Sequence, residues 1–300
     1  MKEKLILQLI VAFIAISAFT AGAQKNVTPP LSGIYDQAIA TAEKQEGTID
    51  TIEVMSLKMG RAIKNTLVLP AQYYQKDSPT KFYPVVYLLH GAQGSYRDWP
   101  LKADLRSLAS QYGIIIVCPD GQDSWYFDSP IDPKFQFETY VTQELRTYIE
   151  SHYRTLNEPK YRAITGLSMG GHGALWLAWR HPEIYGNCGS MSGGVDIYSS
   201  PNRWRINERL GAFESNKEVW KAHSVISLVP SLEPGQNIII DDGTHDIFIN
   251  DNNALHKALL EHNIPHDYIV RPGNHSWTYW VNSLDYHLLF FHKAFNAGVK

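Results

Sequence analysis

The residues with the most evident chemistry lie between Tyr161 and Arg180, in the segment YRAITGLSMGGHGALWLAWR. A short apolar run rich in β-formers ends at Thr165, and an Ala- and Trp-rich segment with helical spacing begins at Met169. The chain must therefore turn sharply at Ser168, and the glycines on either side permit the close backbone approach that such a turn needs. This G-x-S-x-G pattern between a strand and a helix predicts an exposed, nucleophilic serine.

A serine hydroxyl is a poor nucleophile at neutral pH, so a base must accept its proton and an acid must orient that base. Downstream of Ser168, one predicted strand ends at Ile240 and is followed by acidic residues. A later strand ends at Val270 and is followed by His275. Serine, acid and histidine in this order are typical of α/β-hydrolase triads. We therefore predict a triad of Ser168, Asp246 and His275.

The identity of the acid is the least certain part of this triad, because three aspartates follow the strand that ends at Ile240. Asp241 and Asp242 leave the predicted strand directly, whereas Asp246 lies further along, where the loop can reach the histidine. Together with His245 these acids also resemble a metal-binding cluster. Since the triad already requires Asp246 beside His275, and acids in a loop usually face water, we expect no metal.

A tetrahedral oxyanion needs two amide donors near the serine. The first turn of the helix supplies the N–H of Met169, which lacks an intrahelical partner. The second is expected from the glycine-rich turn after the strand Tyr83–Leu89, at Ala92 or Gln93.

Strands and helices alternate along the rest of the chain, which indicates βαβ units and a mostly parallel sheet. The segment Thr48–Leu69 alternates polar and apolar residues around Gly60 and predicts an antiparallel hairpin at a sheet edge. Residues 195–232 lack a clean period and are interpreted as an insertion with short helices. Ligands of such sheets bind beyond the carboxyl ends of the strands, where all the candidate residues lie.

The N-terminus has the features of a signal peptide. Two lysines precede an apolar run from Leu5 to Phe19, and Ala21-Gly22-Ala23 provides a cleavage site. A retained membrane anchor is the alternative, but the run is shorter than the ~20 residues that a span requires. We therefore predict a signal peptide at residues 1–23, one α/β-hydrolase domain at residues 24–300, and an exported protein, periplasmic or secreted, without stable membrane insertion.

Composition narrows the class of partner. Apolar residues make up 44% of the chain and aromatic residues 12%, which is sufficient for one large core. The formal net charge is −3, and such a charge does not point to binding of nucleic acid or of an anionic membrane. The oligomeric state cannot be read from these features.

Five motifs lie between Tyr87 and Trp280, and the similarity that they carry extends over essentially the whole chain after residue 23: YLLHGAQG, PDG-x3-WY, GLSMGGHGALWLAWRHPEIYG, D-x-G-x2-D and PGNHSWTYW. In these motifs the sequence resembles the esterase family that includes S-formylglutathione hydrolases, feruloyl and acetyl esterases, and antigen-85 mycolyltransferases. The resemblance implies a single-domain α/β-hydrolase fold with helices on both faces of a mostly parallel sheet. It places the triad at Ser168, Asp246 and His275, and the second oxyanion amide at Ala92.

The resemblance also bears on Cys118 and Cys188. In that fold two strands separate the strand that ends at Cys118 from the strand that contains Cys188. Three inter-strand steps of ~4.8 Å place the two residues roughly 14 Å apart, beyond the ~7 Å limit for a disulfide. Two free, buried cysteines are therefore expected.

Aromatic residues near the predicted site suggest how a substrate is held. We expect Trp125 and Trp277 to contact substrate, because flat apolar rings stack on cinnamoyl groups and pyranose rings. Gln93, in the glycine-rich turn after the strand Tyr83–Leu89, is also expected to contact substrate. Trp204 and Trp220, in the insertion, either form a wall of the pocket or hold the insertion together by packing.

These observations predict an exported serine carboxylesterase that needs no cofactor. Export favours feruloyl or acetyl esters of plant polysaccharide, or other small acyl esters, over glutathione thioesters, whose hydrolysis is a cytosolic task. One alternative is an acyltransferase that uses the same triad and excludes water from the acyl-enzyme. Another is a catalytically silent carbohydrate-binding protein on this fold.

Overall fold

The chain forms an eight-stranded sheet flanked by helices in the computed structural model, which describes residues 46–75 and 80–297. The strands are β1 (Thr48–Ser56), β2 (Arg61–Leu69), β3 (Val85–Leu89), β4 (Ile115–Pro119), β5 (Arg162–Gly166), β6 (Asn187–Met191), β7 (Asn237–Gly243) and β8 (Asp267–Arg271). Their order in the sheet is β1-β2-β4-β3-β5-β6-β7-β8. β1 pairs antiparallel with β2, and β2 pairs antiparallel with β4. The remaining neighbours in the sheet, in the order β4-β3-β5-β6-β7-β8, all pair in parallel.

Helices connect the parallel strands. They are α1 (Asp98–Lys102), α2 (Leu105–Tyr112), α3 (Phe137–Thr139), α4 (Arg146–His152), α5 (Met169–Arg180), α6 (Asn207–Leu210), α7 (Lys217–Ala222), α8 (Ile249–Glu261) and α9 (Trp277–Phe295). A π-helical stretch, Tyr140–Leu145, joins α3 to α4, so helical structure is continuous from Phe137 to His152 but wider in its middle.

The middle strands are apolar on both faces because both faces are covered. Val85, Tyr87 and Leu89 of β3 belong to one core, together with α5 and the insertion. Val86 and Leu88 of the same strand belong to a second core, formed with α2 and α9. This alternation is what buried strands of a doubly covered parallel sheet show. The predicted α/β-hydrolase fold is therefore confirmed.

The structure corrects one element boundary near the predicted acids. β7 continues to Gly243, so Asp241 and Asp242 are strand residues rather than the first residues of a loop. The reason is the pairing with β8, in which Asp241 lies opposite Ile269 and Asp242 opposite Val270. Asp246 does lie in the loop.

The insertion consists of short helices, as predicted. It contains α6, α7 and three short 3-10 turns at residues 197–199, 213–215 and 225–231. The predicted signal peptide lies outside the described residues. Among those that are described, no helix is long and apolar enough to span a membrane.

The two cysteines are free and buried, as expected. Cys118 lies in β4 and Cys188 in β6, and β3 and β5 run between these strands. Burial raises the pKa of both thiols, to about 12 for Cys188.

We predict that neither thiol reacts readily in the folded protein, since the thiolate is the reactive form and burial disfavours it. Titration with a disulfide reagent should detect two thiols in the unreduced, denatured chain and almost none in the native protein. Fewer than two thiols after denaturation would contradict the strand order described above.

Candidate active site

The backbone at Ser168 adopts a conformation that L-residues rarely occupy. Its φ is 55° and its ψ is −118°, directly between β5 and α5. Glycines make this turn fit against the neighbouring strand. A Cβ at Gly170 would lie 2.6 Å from the carbonyl oxygens of Leu89 and His90, and one at Gly166 would lie 2.6 Å from the Gly170 carbonyl. α5 can therefore start against the end of β3 with the serine at the corner.

The three predicted triad residues meet at this corner. The Nε2 atom of His275 lies 2.9 Å from the Oγ atom of Ser168. Its Nδ1 atom lies 3.0 and 2.9 Å from the two carboxylate oxygens of Asp246. An ionised carboxylate only accepts hydrogen bonds, so Nδ1–H donates to Asp246 and Nε2 is left to accept the serine proton. Asp246 is buried, and the histidine side chain is 21% exposed.

Asp246 and His275 come together because the loops after β7 and β8 touch along their backbones. The N–H of His245 donates to the Gly273 carbonyl at 2.8 Å. A Cβ at Gly243 would lie 2.7 Å from the Gly273 backbone, so glycine is required at this crossing. The N–H of Phe248 donates to the Asp246 carboxylate at 2.9 Å and fixes its rotamer.

Asp241, an alternative acid on sequence grounds, has a different role. Its carboxylate accepts hydrogen bonds from Arg271, from the Tyr279 hydroxyl and from Ser283. This buried group ties β7 to β8 and to α9. It therefore holds together the two strands whose following loops carry Asp246 and His275, and the carboxylate that bonds to the imidazole is that of Asp246.

Aromatic rings flank the imidazole of His275. Phe248 lies edge-to-face with it at 5.3 Å between ring centroids, and Trp280 does so at 4.8 Å. The two rings restrict rotation of the imidazole, so that its two nitrogens stay directed at Asp246 and Ser168.

The turn that carries Ala92 lies directly beside the serine. A Cβ at Gly91 would lie 3.4 Å from the Cβ of Ser168. His90 anchors this turn from below, since its Nε2 accepts the Gly121 N–H at 2.8 Å and its own N–H donates to the Tyr126 hydroxyl at 3.1 Å. The predicted oxyanion donors Ala92 and Met169 thus lie on two segments that meet at Ser168.

A cavity of about 510 Å³ opens above Ser168. Trp204, Trp277 and Trp280 contribute its large aromatic walls. The remaining lining residues are Gly91, Ala92 and Gln93 in the turn after β3, Asp98 at the start of α1, Leu167 and Ser168 at the turn before α5, and His275 and Ser276 after β8. A larger groove of about 810 Å³ lies beside the His275 loop, but neither Ser168 nor His275 lines it.

Two of the three predicted substrate contacts line the cavity, and the third does not. Gln93 and Trp277 line the cavity. Trp125 does not, because it is only 1% exposed and its indole N–H donates to the Trp204 carbonyl at 3.2 Å. It therefore supports Trp204 from behind, and Trp204 supplies the exposed ring.

Comparison with known proteins identifies the family. Residues 56–291 match the model of the Esterase family. The chain belongs to this family.

Individual relatives are consistent with the assignment. The acetyl esterase of Caldicellulosiruptor saccharolyticus is 26% identical over 243 residues, which cover 72% of this chain and 89% of that protein. The S-formylglutathione hydrolase of Paracoccus denitrificans is 28% identical over 232 residues, covering 69% and 81%. A solved ferulic acid esterase superposes with a TM-score of 0.73 at 26% identity, over 83% of this chain and 98% of that one. The protein is thus an esterase with the α/β-hydrolase fold.

Sequence reasoning missed several residues that shape the site of this esterase. Trp280 follows Trp277 by three positions in α9, and this helical spacing was a usable signal. The roles of His90 and Phe248 depend on contacts with segments distant in sequence, so no local sequence pattern could have predicted them.

Asp242 is a further residue whose environment the sequence did not reveal. It is fully buried in β7, and the Gly243 N–H donates to its carboxylate at 2.8 Å. Burial, together with the nearby charge of Asp246, raises the pKa of Asp242 to about 8. Burial thus favours the protonated form of Asp242 up to a much higher pH than for an exposed aspartate.

We predict that Asp242→Asn changes how stability depends on pH. An unfolded aspartate releases its proton near pH 3.8, whereas the folded esterase retains it until about pH 8. The free energy of unfolding of the wild type therefore falls as pH rises between these values, whereas asparagine, which keeps the Gly243 hydrogen bond, carries no such penalty. The variant should gain a few kcal/mol relative to the wild type across this window, since one pKa unit is about 1.4 kcal/mol.

Denaturant titrations at pH 4, 6 and 8 would measure this difference. The matched control is Asp267→Asn, at an exposed position at the start of β8. A stability difference between Asp242→Asn and the wild type that does not grow with pH would show that Asp242 is ionised in the folded protein.

Proposed function

We propose that the protein is an exported serine carboxylesterase in which Ser168 is the nucleophile. The observation that carries this proposal is the hydrogen-bonded chain from Ser168 Oγ through His275 to Asp246, at the floor of an aromatic cavity. Export rests on the signal-peptide pattern at residues 1–23.

In the first half of the reaction His275 Nε2 accepts the serine proton as Oγ bonds to the carbonyl carbon of the ester. The carbonyl electrons move to oxygen, and the N–H groups of Ala92 and Met169 stabilise this oxyanion. Asp246 stabilises the imidazolium that forms. Collapse of the intermediate breaks the bond to the alcohol, which leaves with the proton held on Nε2.

In the second half water replaces the alcohol. His275 takes a proton from the water, whose oxygen attacks the acyl-enzyme, and a second oxyanion forms in the same place. Its collapse releases the carboxylic acid and returns the proton to Ser168. Every step uses side chains and amides of this chain, and no cofactor is required.

We propose feruloyl or acetyl esters of plant polysaccharide as the substrate class, with other small acyl esters as the wider group. The tryptophan walls of the cavity suit a planar acyl group, because aromatic rings gain from stacking beyond their buried area. The likeness to a ferulic acid esterase and to an acetyl esterase supports the same class.

Replacing Ser168 by Ala should abolish hydrolysis of p-nitrophenyl acetate, because no other group takes over its bond to the acyl carbon. Asp246→Asn should lower kcat by about 10³–10⁴-fold, since an amide cannot select the required imidazole tautomer. The control is His245→Ala, which alters the exposed neighbour of Asp246. Most activity surviving in Ser168→Ala, with its fold intact by circular dichroism, would refute the mechanism.

Trp204→Ala should raise KM for methyl ferulate by about 3–10-fold and leave KM for p-nitrophenyl acetate unchanged, as expected for the loss of one aromatic contact. Tyr198→Ala, an exposed ring elsewhere in the insertion, serves as the control. Equal effects on both esters would mean that the Trp204 wall does not bind the acyl group.

An added alcohol acceptor distinguishes hydrolysis from acyl transfer in the same assay. Hydrolysis predicts that release of the free acid accounts for nearly all turnover. If a glycerol or sugar acceptor captured most of the acyl group, the protein would instead be an acyltransferase.

A further inference from the structure

Asp123 is hydrogen-bonded to two segments that each contribute a residue to the cavity lining, the turn with Gln93 and the segment with Trp204. Its Oδ1 atom accepts the backbone N–H of Gln93 at 2.6 Å. Its Oδ2 atom accepts from Nη1 of Arg205 at 3.3 Å. Its backbone carbonyl accepts from Nε of Arg209 at 3.2 Å. The Asp123 side chain is only 13% exposed, whereas the Arg205 side chain is 55% exposed, so the carboxylate is mostly buried and its bond to Arg205 lies at the surface.

The bond to Gln93 matters because the turn after β3 is strained. The Gly94 N–H donates to the Gly91 carbonyl at 3.1 Å, which closes a four-residue turn with Ala92 and Gln93 at its centre. Gln93 has a φ of 62°, the left-handed value that a type II turn requires at this position and that glycine or asparagine normally supplies. A residue with a Cβ needs an external contact to hold this conformation, and the Asp123 carboxylate provides one.

The bond to Arg205 matters because Arg205 follows the wall residue Trp204. Both residues have left-handed backbones, with φ of 48° and 60°. The Trp204 carbonyl is held by the indole of Trp125, and the Arg205 guanidinium also pairs with Glu208 at 2.8 Å. Asp123 is thus the point at which the insertion joins the turn that carries Ala92.

We propose that Asp123 is a positioning residue that fixes the turn carrying Ala92 relative to the segment carrying Trp204. One carboxylate oxygen holds the turn through the Gln93 N–H, and the other holds the Trp204 segment through Arg205. This inference rests on the proposed function, because it takes the Ala92 N–H as an oxyanion donor and Trp204 as the acyl-group wall.

The two oxygens can be tested separately with matched variants. Asp123→Asn keeps an oxygen for the Gln93 N–H but loses the charge that Arg205 pairs with. Arg205→Met removes the guanidinium that pairs with Asp123 and with Glu208, and leaves the bond from Asp123 to the Gln93 N–H in place. Asp123→Ala loses both links. Glu208→Gln is the control, since Glu208 contacts Arg205 but not the turn.

The measurement is kcat and KM for p-nitrophenyl acetate and for methyl ferulate. Asp123→Ala should lower kcat for both esters by about 10–100-fold, somewhat less than outright removal of an oxyanion donor. Asp123→Asn and Arg205→Met should instead raise KM for methyl ferulate by about 3–10-fold and change kcat for the acetate by less than about two-fold. Glu208→Gln should match the wild type.

A rescue variant separates positioning from a general loss of structure. In the Asp123→Ala background, Gln93→Gly should restore most of the lost kcat, because glycine adopts positive φ without support from the carboxylate. A purely structural role for Asp123 would lower the melting temperature, and this substitution in the turn would not restore turnover.

The proposal is overturned if folded Asp123→Ala keeps the wild-type kcat for the acetate, if it behaves like Arg205→Met, or if Gln93→Gly fails to restore turnover. Failure of the proposed function has a different signature, namely activity in Ser168→Ala. An inactive Ser168→Ala alongside an Asp123→Ala of normal kcat would reject only the positioning role.

Discussion

The site depends on one backbone constraint, the left-handed turn at Ser168. A conformation of this kind costs on the order of 1–3 kcal/mol and persists only where the surrounding structure enforces it. Here the enforcement is steric, because Gly170 seats the start of α5 directly against the carbonyl groups of Leu89 and His90. The same contact brings the turn after β3 beside the serine. The same backbone contact therefore positions both the Ser168 hydroxyl and the expected oxyanion donors.

The remaining groups reach the serine through the far half of the sheet. The Asp241–Arg271 pair joins strands β7 and β8, and the Tyr279 hydroxyl ties Asp241 to α9. These contacts fix where the loops after the two strands begin. The loops then cross at Gly243 and Gly273, and the crossing directs Asp246 at His275. Burial of Asp242 raises its pKa and so disfavours a second negative charge beside this pair. Rigid strands, rather than long flexible loops, thus set the distances between the reacting groups.

Much of this arrangement could be predicted from sequence, because order along the chain and position at strand ends are local properties. Ser168 and His275 follow from that logic, and the resemblance to the esterase family supplied Ala92. The roles of Asp241 and Trp125 could not be assigned in the same way. Asp241 lies in a strand because of its pairing with β8, and Trp125 lies behind Trp204 because the insertion folds over it. Both outcomes depend on contacts between segments far apart in sequence, as does the junction at Asp123.

The central claim is that the strained turn makes one serine reactive, and fluorophosphonate labelling tests it most directly. A fluorophosphonate probe forms a covalent bond only with an activated serine, and peptide mass mapping locates the adduct. The account predicts one adduct per chain, on the peptide that contains Ser168, and none in His275→Ala on the same timescale. An unlabelled protein, or an adduct on a different serine, would contradict it.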